Sequence, residues 1–173
     1  MKTSVLTLLN EVLADKAATN DPLMPPATET ERLTLQDAAS RQLEGYLLPA
    51  TYRKLLAVTN GLDCNGMQVY GTRDLVRTDP EGRITYDRMG LVEANLLWRD
   101  FEPNKGYVFL AETGDVLYCH NLASGKFEVV DRITKEMDDE ETDTYDALDP
   151  IFERLFHKML NHHWVFDPDY SAE

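Results

Sequence analysis

The stretch that decides the fold is KGYVFLAETGDVLYCHNLASGKFEVVDRI, residues 105–133. It contains three apolar or alternating runs, at 107–111, 116–121 and 127–131. Alternation with a period of two is typical of β-strands, and glycine-containing, turn-like residues separate the runs at 112–115 and 123–126. The stretch therefore predicts a three-stranded antiparallel meander.

Helical periodicity lies on both sides of this meander. Apolar residues recur at i, i+3, i+4, i+7 and i+8 from Val5 to Leu13, which predicts an N-terminal helix. Pro49 can begin another helix and Asn60-Gly61 can end it, which predicts a helix at about 50–59. A third apolar stripe predicts a closing helix at about 147–162.

The segments between these elements are less regular. Thr34 with Asp37 resembles a capping box and predicts a short helix that ends near Gly45. Residues 67–71 alternate as in a short strand. Within 72–104, residues 90–99 are compatible with a helix and residues 84–86 equally with a strand.

The order of helices, then strands, then a helix predicts an α+β fold class. We expect a twisted antiparallel sheet (meander) flanked by helices, in a single domain. Along the chain we distinguish an N-terminal helix with a Pro-rich connector at 1–29, the main body at 30–164 and an acidic C-terminal tail at 165–173.

Charge restricts the class of partner. Seventeen Lys and Arg face thirty-one Asp and Glu, a formal net charge of −14. Such a field repels phosphate backbones and anionic lipid surfaces, so we expect neither nucleic-acid nor membrane binding. It favours fast encounter with a basic protein, although many intracellular proteins are acidic without such a partner. The N-terminus lacks the continuous apolar core of a signal peptide, and no apolar stretch has membrane-spanning length, so we expect a cytoplasmic protein.

No catalytic or metal signature is present in the sequence. The sequence contains no GxSxG, P-loop, dinucleotide-binding GxGxxG, HExxH or paired CxxC motif. His157 and His162 are five residues apart, whereas helical metal ligands are three or four apart. Cys64 and Cys119 are too few to staple a chain of this length, and we expect two reduced thiols. We therefore expect no metal, no cofactor and no enzymatic activity.

Two features are typical of protein interfaces. Trp98 and Trp164 belong to the residue type most enriched at binding hot spots, although each more often packs on a core. The segment 136–146 is acidic at seven of its eleven positions. It is either a solvated loop before the last helix or a binding segment for a basic partner. Its candidate contact residues are Glu136, Asp138, Asp139, Glu140, Glu141 and Asp143.

Residues 47–75 resemble the SMI1/KNR4 (SUKH) superfamily. The resemblance lies in Leu48-Pro49 before a helix, Tyr52 in its first turn, Asn60-Gly61 at its end and Tyr70-Gly71 after a strand. The strands and turns of 106–131 and the last helix are similar to later elements of that family, so the resemblance covers about 30–160. Residues 76–104 and the N-terminal helix have no clear counterpart in it.

The resemblance implies an α+β domain and, for bacterial members, an immunity protein that neutralises a toxin by direct binding. It carries over no catalytic residues. We therefore predict an immunity protein whose partner is a basic toxin domain of the nuclease type. The alternatives are an intracellular scaffold or regulatory protein with no toxin partner, and a hydrolase or transferase assembled from scattered Asp, His and Cys residues.

Overall fold

A computed structural model describes residues 1–78, 81–82, 84–137 and 143–161 of the chain. The helices are α1 (Thr3–Ala18), α2 (Glu29–Gln42), α3 (Ala50–Leu56), α4 (Leu91–Trp98) and α5 (Leu148–Met159), with a 3₁₀ turn at Glu102–Asn104. The strands are β1 (Leu62–Cys64), β2 (Met67–Val69), β3 (Leu75–Thr78), β4 (Ile84–Arg88), β5 (Tyr107–Glu112), β6 (Val116–Asn121), β7 (Phe127–Asp131) and β8 (Thr144–Tyr145).

The predicted meander is the centre of the main sheet. Strands β5, β6 and β7 pair antiparallel within a six-stranded antiparallel sheet of order β1-β2-β5-β6-β7-β8, and β3 and β4 form a separate antiparallel pair. The α+β class, the single domain and all three predicted strands are thus confirmed. Consecutive residues of β5 from Val108 to Ala111 are fully buried, so both faces of this strand are covered.

The helices enclose this sheet as one core. The predicted stripe on α1 is confirmed, because Val5, Leu9 and Val12 are fully buried and α1 packs against α5. α4 packs on β5, where the Asn95 side chain donates to the Phe109 carbonyl and accepts from the Phe109 N–H. The open choice within 72–104 resolves to both elements, with a strand at β4 and a helix at α4.

The capping box at Thr34 and Asp37 is wrong. The N-cap of α2 is Thr28, whose hydroxyl accepts from the Glu31 N–H at 3.2 Å while the Glu31 carboxylate accepts from the Thr28 N–H at 2.8 Å. Thr28, with an extended backbone, lies two residues after Pro25-Pro26, and the helix begins there and not at Thr34. Thr34 and Asp37 therefore lie in the interior of α2, where the backbone N–H groups already have helical partners.

Candidate protein interface

The motif residues that carry the family resemblance lie close together and form hydrogen bonds within the fold. The buried Tyr52 hydroxyl of α3 donates to the Tyr70 carbonyl at 2.6 Å. The Asn60 side chain accepts from the Thr72 N–H and donates to the Thr72 hydroxyl, both at 2.8 Å. Burial raises the pKa of Tyr52 well above its ordinary value, so this hydroxyl stays a donor. These residues join α3 to the end of β2 and are occupied within the fold.

Trp98 is the last residue of α4 and is half-buried. A hydrogen bond to Tyr70 fixes the edge of its indole. Its Nε1–H donates to the Tyr70 hydroxyl at 3.1 Å, and that hydroxyl donates to the Glu112 carboxylate at 3.0 Å. The indole also lies 6.0 Å from the Phe109 ring, centroid to centroid. The ring is therefore held in one orientation before any partner arrives.

Two cations from the turn after β7 contact this indole. The Arg132 guanidinium carbon lies 4.8 Å and the Lys135 ammonium 5.5 Å from the ring centroid. The turn is built by Asp131, whose carboxylate accepts from the N–H groups of Ile133 and Thr134 at 2.7 Å each. These backbone hydrogen bonds lower the pKa of Asp131, so its carboxylate stays charged and keeps the turn closed.

Exposed apolar side chains lie close to this cluster along the chain. Ile133 lies between the two cations in sequence and is 86% exposed. Leu97 directly precedes Trp98 and is 65% exposed, and Phe101, three residues after Trp98, is 60% exposed. We call Trp98, Leu97, Phe101, Arg132, Ile133 and Lys135 the Trp98 surface. An apolar group around a fixed aromatic side chain, with polar residues at its edge, is the usual composition of an interface hot spot.

The predicted acidic residues follow this surface directly but differ among themselves. Glu136, next to Lys135, is exposed. Asp143 is 3% exposed and forms an ion pair with Arg154 of α5, so it stabilises the fold and is not open to a partner. Asp146, also in the acidic run, is paired with Lys126. Asp138, Asp139, Glu140 and Glu141 lie outside the described residues.

Sequence reasoning singled out Trp98 but missed the residues that complete the surface. Arg132 and Lys135 lie more than thirty residues further along the chain, and only the fold brings them to the indole. A local signal existed in Asp131-Arg132-Ile133-Thr134, because Asp three residues before Thr is typical of a side-chain-capped turn. Such a turn exposes the residues within it, here Ile133.

The cysteines and one histidine of the described residues are packed within the fold. Within the described residues, no three His, Cys, Asp or Glu side chains are grouped to hold a metal ion. Cys64 and Cys119 are buried free thiols, and burial raises the pKa of Cys119 well above its ordinary value, which disfavours the thiolate. His120 stacks on Phe127 with the ring centroids 4.4 Å apart. His162, His163 and Trp164 lie outside the described residues.

Over the described ranges, the helices are too short or too polar to cross a bilayer. No protein-family model matches this chain, and no curated protein matches it either. The resemblance to the SMI1/KNR4 superfamily therefore stays a prediction.

Proposed function

We propose that this chain is a non-catalytic binding protein of the immunity type, which neutralises a basic toxin domain through the Trp98 surface. The observation that carries the proposal is the exposure of Ile133, Phe101 and Leu97, which flank Trp98 and its two cations along the chain, together with the fixed orientation of the Trp98 indole. The immunity role itself rests on the family resemblance of the sequence.

The apolar part of the surface supplies the reason for stable binding. Exposed Ile, Phe and Leu side chains lose contact with water when a partner covers them, at about 25 cal/mol for each Å² of apolar area. Preorganisation of Trp98 adds to this, because the side chain loses little rotamer freedom on binding. A few such residues commonly supply most of the binding free energy of a protein interface.

Charge supplies the reason for a basic partner. The segment 131–146 contains eight acidic and two basic residues, and both basic residues, Arg132 and Lys135, lie against the indole. The net charge of −14 extends this negative potential over the molecule. Together they favour encounter with a domain whose active-site cleft is rich in Lys and Arg, as the cleft of a nuclease is.

The experiment is growth rescue with a matched set of variants. The protein is co-expressed with the toxin domain encoded beside it, and survival is compared for the wild type, Phe101→Ser with Ile133→Ser, and the control Leu47→Ser. Leu47 is 72% exposed and lies outside the Trp98 surface, so all three changes replace an exposed apolar side chain without altering charge. We expect the double variant to lose rescue and the control to keep it.

Calorimetry with a catalytically dead toxin domain gives the same comparison without growth. Loss of two hot-spot residues should weaken binding by about thirtyfold or more. Equal affinity of the double variant and the wild type would place the interface elsewhere. No binding to any neighbouring toxin domain would contradict the immunity role and favour the scaffold hypothesis.

A further inference from the structure

A groove between α2 and α3 is separate from the Trp98 surface and has the opposite charge. It has a volume of about 320 Å³ and is lined by Arg32, Leu33 and Gln36 of α2 and by Arg53 and Lys54 of α3. Gln36 fixes its base, because the side-chain amide donates to the Tyr46 carbonyl at 3.0 Å and accepts from the Leu48 N–H at 2.9 Å. These hydrogen bonds hold the connection between α2 and α3 against α2.

The cations of this groove are unusual for the molecule. Most lysines and arginines with described side chains pair with a carboxylate, as expected where acids outnumber bases by thirty-one to seventeen. Among those described cations, Arg53 and Lys54 alone have no ion pair, side-chain hydrogen bond or ring contact. Both are exposed, and both face the same groove.

The third cation of the groove is preorganised. The Arg32 guanidinium donates to the Ala27 carbonyl at 3.0 Å and pairs with Glu29, so its position is set by the start of α2. Glu29 is the acid on the groove wall, and it neutralises Arg32 only. Arg53 and Lys54 therefore leave a local excess of positive charge on a protein of net charge −14.

An apolar contact completes the groove. Leu33 lines it and is 61% exposed, and Ala50 and Ala57 line the same space from the α3 side. A volume of about 320 Å³ is at the small end of ligand pockets, enough for a few side chains of a peptide. Cations beside a leucine fit a segment in which Asp or Glu residues flank an apolar residue.

We propose that the α2–α3 groove docks an acidic segment of a partner protein, with its carboxylates on Arg53 and Lys54 and an apolar side chain on Leu33. The inference does not depend on the immunity role, since it concerns other residues and the opposite charge. Arg53 is suited to bind a carboxylate with two parallel hydrogen bonds, and Lys54 supplies a second point charge.

The test uses a short fluorescein-labelled peptide of alternating Glu and Leu, with fluorescence anisotropy as the readout. The comparison peptide has Gln in place of each Glu. The protein variants are Arg53→Glu with Lys54→Glu, and the control Arg41→Glu with Lys105→Glu, which makes the same change in net charge at exposed positions outside the groove. Urea unfolding of each variant checks that the fold is retained.

We expect the Glu peptide to bind the wild type and the control variant, and its affinity to fall about tenfold or more for the groove variant or with the Gln peptide. Equal loss in both variants would mean a general charge effect and would overturn the proposal. Competition by inorganic phosphate as effective as that by unlabelled peptide would also overturn it, in favour of a small-anion site. A wild-type dimer that the groove variant converts to a monomer would assign the groove to a second copy of this chain instead.

Discussion

The backbones of Gly61 and Gly71 approach each other closely. This approach predicts a large difference in stability between two otherwise similar glycine substitutions. Gly61 and Gly45 both have φ of +81°. A Cβ on Gly61 would lie 3.0 Å from both the Cα and N of Gly71 and 3.1 Å from the Val69 carbonyl oxygen, whereas a Cβ on Gly45 would have no atom within 4 Å. Gly45→Ala is thus a control that shares the backbone strain but not the collision.

The magnitudes follow from these two geometries. A left-handed backbone costs an Ala residue about 1–2 kcal/mol, in both variants. Both variants also gain about 0.4–1 kcal/mol of stability, because Ala makes the unfolded chain less flexible than Gly does. Crowding against backbone atoms adds about 1–3 kcal/mol at Gly61 alone, because backbone cannot rotate away as a side chain can. We expect the free energy of unfolding to fall by about 1 kcal/mol in Gly45→Ala and by about 2–4 kcal/mol in Gly61→Ala.

The assay is urea unfolding of the three proteins, followed by circular dichroism, with thermal melts as a second readout. For a domain of this size, a difference of about 2 kcal/mol between the variants corresponds to about 4–8 °C in Tm. Losses that agree within about 0.5 kcal/mol would refute the reasoning. They would mean that the close approach of Gly61 and Gly71 is not a constraint on the fold.

Three further predictions concern the acidic run, the half-buried His120 ring and the metal content of the whole chain. Replacing Asp138, Asp139, Glu140 and Glu141 by Ser and Gln should slow association with the toxin domain about tenfold, measured by stopped-flow binding at two salt concentrations. An unchanged association rate would contradict this prediction. Burial lowers the pKa of His120, so the unfolded state takes up protons first and stability falls as pH drops below about 6.5. Between about pH 7.5 and about pH 5.5, His120→Phe should lose less free energy of unfolding than the wild type, as measured by urea unfolding at each pH. An equal loss in the two proteins would contradict this prediction. Elemental analysis of protein purified without a histidine tag should find no stoichiometric zinc, copper or iron, and a ratio near one to one would count against the expectation.

The central strands and the last helix were predictable because their signals are local. Residues 107–131 combine a period of two with glycine turns, and the stripe of α5 repeats over its whole length. The outer strands β1 and β8 have three and two residues, too few for any period to be visible. They exist as strands because neighbouring strands supply hydrogen-bond partners, which sequence pattern alone does not record.

The start of α2 shows a different limit. Thr28-x-x-Glu31 and Thr34-x-x-Asp37 both have the spacing of a capping box, but only the first has the Glu or Gln that the box favours at its last position. The Ala27 N–H donates to the Leu56 carbonyl at 2.8 Å, which fixes the chain immediately before Thr28. This long-range contact, with the prolines before it, determines where the helix begins.

The candidate site was predictable only in part, for the same reason. Trp98 was identifiable by residue type, but the cations on its face depend on the turn after β7. Asp143 was counted with the exposed acids because charge along a sequence does not distinguish a solvated carboxylate from one that pairs with a helix. Its partner Arg154 is eleven residues away on α5, and only the packing of that helix places the two together.

The two parts of the proposed interface act on different rate constants, and this separates the proposal from a general effect of charge. Rim charges act mainly on encounter, whereas buried apolar contacts act mainly on dissociation. The acidic run should therefore control the association rate and its salt dependence, while Phe101 and Ile133 control the lifetime of the complex. A faster dissociation in the Phe101→Ser, Ile133→Ser variant, with association unchanged, is the pattern that this arrangement requires.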